Sequence, residues 1–196
     1  MDEPAWQVAQ GLTVAWLKLG SHPEGPDTGL YQGGTPMTIQ EALDRLAASR
    51  RTLQLALQGL SEERLTQVRV EGVWTAKDVL GHITAWEEVC LEPLRRFSAG
   101  QPFEVEVIRD YQAWNERQAA QKCDLPLPTI LDDLAAVRAA LVQIAAELSP
   151  AQAAWRVQFP WGGQGTIAAM LDGLHWHEME HLGPISLLSR GPASSD

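Results

Sequence analysis

Residues 129–150 read TILDDLAAVRAALVQIAAELSP, and their spacing decides the fold class. Ile130, Leu134, Val137, Leu141, Ile144 and Leu148 alternate steps of four and three, the period that keeps one face of an α-helix turned toward a partner. The helix opens after Pro128-Thr129 and is closed by Ser149-Pro150. The same signature recurs on both sides. Upstream, Thr38-Ile39-Gln40-Glu41 is a capping box, and Ile39, Leu43, Leu46, Leu53, Leu57 and Leu60 form an apolar stripe on which Arg50 also falls. A second helix starts at Thr75, with Asp78 three residues on, and carries Val79, Ile83, Trp86, Cys90, Leu94 and Phe97 before Gly100 stops it. Pro93 is expected to kink its last turn. Residues 103–123 should be helical from about Ile108, with Tyr111 and Trp114 on one side. Downstream, WRVQFPWGGQG (155–165) mixes alternation with Gly and Pro and predicts a short hairpin or loop. Thr166 then caps a final helix to about Arg190, closed by Gly191-Pro192. Four long amphipathic helices with few strand signals predict an all-α four-helix bundle.

The expected bundle occupies residues 37–190. Residues 1–36 read as an extension, a short amphipathic helix over 5–19 followed by a Gly/Pro-rich linker, and residues 191–196 as a tail. The chain of 196 residues is 45% hydrophobic and 20% charged, the range of ordinary globular domains. Asp+Glu 25 against Lys+Arg 15 gives a net charge of -10, which repels phosphate backbones and anionic lipid, so neither nucleic acid nor membrane is an expected partner. No apolar run is long enough to span a bilayer, the MDEPAW start is acidic where a secretory signal is basic, and Cys90 and Cys123 form no framework. The expected location is cytoplasmic.

The final helix carries the chemistry. Its inward stripe reads Ile167, Met170, Leu174, His177, His181, Pro184 and Leu188, so two imidazoles occupy core-type positions one turn apart. A buried imidazole needs a hydrogen-bond partner or a cation, and a divalent metal satisfies both rings at once. The other reading is two buried histidines, each bonded to a protein neighbour. His82, at the edge of the second helix's stripe, can face the pair across the core if those helices are neighbours. Three neutral nitrogens would then bind one face of an ion and leave positions open for water or substrate. His175 must point elsewhere, and His22 lies in the linker. The pentapeptide His177-Glu178-Met179-Glu180-His181 also fits the HExxH protease pattern and its inverse, yet neither His nor Glu follows to supply a third ligand. Glu178 and Glu180 are expected to face solvent or to hold a ligand's second nitrogen, and Glu178 is the candidate general base. With Trp 8 in the chain, an aromatic-walled pocket for a small, partly apolar substrate is one expectation and simple core filling the other. Trp86, Trp176 and Asn115 are the candidate substrate contacts.

The stretch Val73-Trp74-Thr75-Ala76-Lys77-Asp78-Val79-Leu80-Gly81-His82-Ile83-Thr84-Ala85-Trp86-Glu87 resembles the second helix of the DinB/YfiT-like metalloenzyme family, nearest to its ClbS/DfsB-type branch. The resemblance spans about residues 37–190. It implies a four-helix bundle with His82, His177 and His181 holding a divalent ion, often zinc or nickel. It also implies a frequent homodimer, acting as a hydrolase or as a transferase or isomerase that uses a low-molecular-weight thiol. A non-catalytic bundle that binds metal or a small ligand is the alternative. The N-terminal extension, Pro184 and the WGGQG segment depart from the family's pattern.

Overall fold

A computed structural model describes residues 37–189. The expected helix over 5–19, the linker, the tail over 191–196 and Arg190 lie outside the described residues.

Local signals fix where each helix begins. Helix α1 (Ile39–Leu57) and helix α3 (Ala76–Ser98) each start with a reciprocal capping box, Thr38 with Glu41 and Thr75 with Asp78. Between them lie a short helix α2 (Glu62–Gln67) and an antiparallel hairpin of β1 (Arg69–Glu71) and β2 (Trp74–Thr75), elements without a periodicity signal. Helix α3 runs through Pro93. Helix α4 (Tyr111–Lys122) starts three residues later than expected, because the Asp110 side chain accepts from the amide of Ala113 and caps it there. Helix α5 (Leu127–Ala146) has Pro128 in its first turn, where the missing N–H is no loss. The single turn α6 (Pro150–Ala153) leads into the expected hairpin, β3 (Arg156–Gln158) paired with β4 (Gln164–Thr166). Gly162 and Gly163, at φ 86 and 75, make its turn. Thr166 caps helix α7 (Ile167–Ser186), which continues through Pro184 into a 3-10 turn (Leu187–Ser189).

The long helices α1, α3, α5 and α7 form the bundle. Arg45 meets Asp172 and Arg50 meets Glu178, so α1 and α7 run parallel. Gly81 lies against Ile130 and Glu87 against Arg138, so α3 and α5 also run parallel. The α1 and α5 helices are antiparallel, with Arg50 bonded to the carbonyl of Leu134 and Arg138 to that of Leu46. Two apolar clusters fill the interior. One holds Leu46, Trp86, Leu94, Leu141, Trp161 and Leu174; the other holds Leu53, Ile83, Leu134, Leu182 and Ile185. Near the junction of the two clusters each long helix contributes buried polar side chains, Arg50 on α1, His82 and Glu87 on α3, Arg138 on α5, and His177 and Glu178 on α7, which together form a polar layer.

Candidate metal centre

His82 on α3 and His177 on α7 are 8% and 3% exposed, and the side chain of His181, one turn beyond His177, is 12% exposed. The antiparallel packing of α3 on α7 brings the three rings together. One potential ligand atom from each lies within 4.8 Å of the others. Nε2 of His177 is 3.0 Å from Nε2 of His82 and 3.1 Å from Nε2 of His181. Burial holds the pKa values of His82 and His177 well below the usual imidazole value, and the neighbouring His181 pushes both the same way. Both rings are therefore neutral near pH 7, the form that can bind a metal.

The donor set fits a cation. A neutral imidazole offers one N–H and one lone pair. A single proton on His177 Nε2 can bridge to His82 or to His181, but not to both. Nδ1 of His82 is buried and has no hydrogen-bond partner among the described residues, so nothing on that side settles its ring either. An ion about 2.0–2.1 Å from imidazole nitrogens holds them roughly 2.9–3.4 Å apart, depending on coordination geometry. The observed 3.0 and 3.1 Å separations fall in that range.

Around the rings, Nδ1 of His181 is 2.7 Å from Oε2 of Glu71 on β1, and the Trp74 ring on β2 lies 4.9 Å from that of His82. On the other side Trp86 is 2% exposed, with its ring 6.1 Å from His177 and 4.5 Å from Trp114. Tyr111 donates to the carbonyl of Trp161, which joins α4 to the turn before α7. Asn115, next to Trp114, is 7% exposed, and its Oδ1 has no partner among the described residues.

Two expectations need correction. Glu178 neither faces solvent nor holds a ligand's second nitrogen. It is fully buried, with Oε1 accepting from Nε of Arg50 at 2.6 Å and Oε2 accepting from Ser49 and from Nη1 of Arg138 at 3.2 Å. Position 178 is rotated about 100° from 177 on the helix, which turns it toward α1 and α5. A carboxylate committed to two guanidiniums is poorly placed to serve as a base. Trp176 is 56% exposed and lies against His175, 5.2 Å between ring centres, so it belongs to the outer face of α7. Glu180 is exposed.

The residues that sequence reasoning missed are Glu71 and the buried ion network. Glu87 on α3 accepts from Arg50 at 2.8 Å and from Arg138, which completes a cluster of two carboxylates and two guanidiniums contributed by all four long helices. The one available signal was Arg50 and Arg138 falling in or beside apolar stripes. Glu71 gave none, because its strand is only three residues long.

A family model described as the DinB superfamily matches residues 45–185. No curated protein matches the chain. Among solved structures, the colibactin self-resistance protein ClbS, in complex with a dsDNA, superposes with a TM-score of 0.66 at 14% identity, over 82% of this chain and all 100% of that one. YfiT from Bacillus subtilis, described as a probable metal-dependent hydrolase with an unusual four-helix bundle topology, gives 0.62 at 18% identity over 81% and 90%. A mycothiol-dependent maleylpyruvate isomerase gives 0.65 at 12% identity over 76% of this chain and 61% of that chain. At these identities the likeness shows the fold.

Proposed function

We propose that this chain, which belongs to the DinB superfamily, binds a divalent metal ion, zinc or nickel, through His82, His177 and His181 and acts on a small molecule. The reaction class is hydrolysis or transfer involving a low-molecular-weight thiol. The observation that carries the reading is the meeting of three Nε2 atoms at separations of 3.0 and 3.1 Å inside the bundle. Solved relatives in this fold include a probable metal-dependent hydrolase and a mycothiol-dependent isomerase, which supports both reaction classes without choosing between them.

A cation held by three neutral imidazoles supplies Lewis acidity toward an oxygen or sulfur donor at its open positions. The protein's own residues do the rest. Burial keeps His82 and His177 unprotonated and excludes bulk water from their side of the site. Trp86 lies beside His177 and packs on Trp114, so the wall on this side is aromatic and suits the apolar part of a substrate. The buried Oδ1 of Asn115 has no donor among the described residues, and a substrate N–H or O–H would satisfy it. Glu178 stays ion-paired and takes no part in proton transfer. The net charge of -10 continues to disfavour nucleic acid as a partner. A homodimer is the proposed assembly, which light scattering checks directly.

A second reading, metal or ligand binding without turnover, is favoured by the commitment of Glu178 to Arg50 and Arg138. Metal analysis of untagged protein purified without chelator tests the shared premise. About one zinc or nickel per chain is expected, and His82→Ala should lose it; a metal-free protein with melting unchanged by either ion sinks both readings. Turnover of ester, amide and thiol-acceptor substrates then separates the enzyme from the sequesterer.

A further inference from the structure

The hairpin ahead of α3 touches both ligand-bearing helices, and its contacts are specific. Trp74 packs on His82, and Thr75, the last residue of β2, is also the N-cap of the helix that carries His82. Glu71 reaches the other way, to His181 on α7, at 2.7 Å. The pairing of β1 with β2 shifts register between Arg69 and Glu71, an irregularity that re-aims side chains in a strand, and Gly72 at φ 57 makes the turn. Glu71 is thus held to the His82 helix through four residues, Gly72 to Thr75, while bonded to a ligand of the other helix.

We propose that Glu71 is a positioning residue that fixes the tautomer of His181 and so points the lone pair of its Nε2 at His82 and His177. The inference rests on the metal-binding reading above for its purpose, but its tautomer arm does not need metal. A carboxylate has no proton to give, so the bond to Glu71 places the hydrogen on Nδ1 of His181. In the neutral ring Nε2 is then the bare nitrogen, and it is Nε2 that faces His177 at 3.1 Å. Without the carboxylate, a neutral imidazole could put its proton on Nε2, where it would point into the cluster and block ligation. The hairpin therefore couples the two halves of the site: its tryptophan seats one ring and its glutamate orients another.

The test uses full-length protein with Glu71→Ala and Glu71→Gln. Alanine removes the acceptor. Glutamine keeps the shape, but its amide can accept from Nδ1–H or donate to a bare Nδ1, so it no longer dictates the tautomer. In metal-free wild-type protein, long-range 15N–1H spectra of the imidazoles should show His181 as the single Nδ1–H form, and both variants should show a mixture or the other form. Zinc titration should show the dissociation constant raised ~10–100-fold by alanine, and less by glutamine. Variants that lose thermal stability but keep the wild-type tautomer and zinc constant would make Glu71 merely structural and overturn the proposal. Should Glu71→Ala fail to fold, Glu71→Gln carries the same comparison. If wild-type protein binds no zinc, the metal reading fails while the tautomer spectra still decide the role of Glu71; wherever the two readouts disagree, the tautomer decides.

Discussion

Arg50 sits on the apolar stripe of the first helix, 8% exposed, where a leucine would satisfy the pattern. Its guanidinium lies between Glu87 and Glu178 and also donates to the Leu134 carbonyl. Two carboxylates and two guanidiniums balance, so removing one partner leaves an uncompensated buried charge. Arg50→Met is expected to destabilise the fold by about 3–5 kcal/mol in urea denaturation. The histidines give a pH prediction of definite sign. Burial lowers the pKa of His82 and His177 in the folded protein, while the unfolded chain protonates them near 6.5. The unfolded state therefore binds more protons below that pH. Stability is fully present above about 6.5 and falls by up to ~1.4 kcal/mol per pH unit per ring below it, until the folded values are reached. Metal-free protein should melt at a distinctly lower temperature at pH 5.5 than at 7.5. The three rings were legible in the sequence because a one-turn spacing and a stripe position are local facts. The partners of Arg50, and Glu71 beside His181, were not, because those contacts join residues far apart in the chain.

Helix starts were legible for the same local reason. Thr38, Thr75 and Thr166 all cap where the sequence places them. Thr75→Ala removes the side chain that accepts from the Asp78 amide and should cost about 1 kcal/mol. Because this cap also joins the hairpin to α3, the loss should be accompanied by faster amide exchange over residues 69–75 than in the rest of the bundle. Elements of two to six residues are too short to show a period, so α2 and the first hairpin stayed invisible while the Gly-marked second hairpin did not. That second hairpin also explains a glycine inside α7. A Cβ at Gly173 would lie 2.7 Å from the ring of Trp161, so α7 and the hairpin pack this closely only because the side chain is absent. Gly173→Ala gains helix propensity but forces the indole to move, and a net loss of about 1–3 kcal/mol is expected from thermal melts.

Across the whole molecule, the two apolar clusters are separated by one polar layer that holds both the imidazoles and the ion network. A ligand that binds only the folded form stabilises it by mass action, about 2.7 kcal/mol at a hundredfold excess over the dissociation constant. Zinc or nickel should therefore raise the melting temperature of wild-type protein, and of His82→Ala much less, in a calorimetric scan. The all-helical architecture was readable because amphipathic period is a property of each helix alone. Which helices run parallel was not, since that depends on the pairing of Arg45 with Asp172, Arg50 with Glu178 and Glu87 with Arg138. The layer has one more effect. Leucine and alanine stripes would let a helix slide by a turn with little penalty, but here a slip of about 5.4 Å would drive Arg50, Glu87, Arg138 or Glu178 into hydrocarbon. The buried charges thus act as an alignment key, setting the axial offset of every helix against its neighbours.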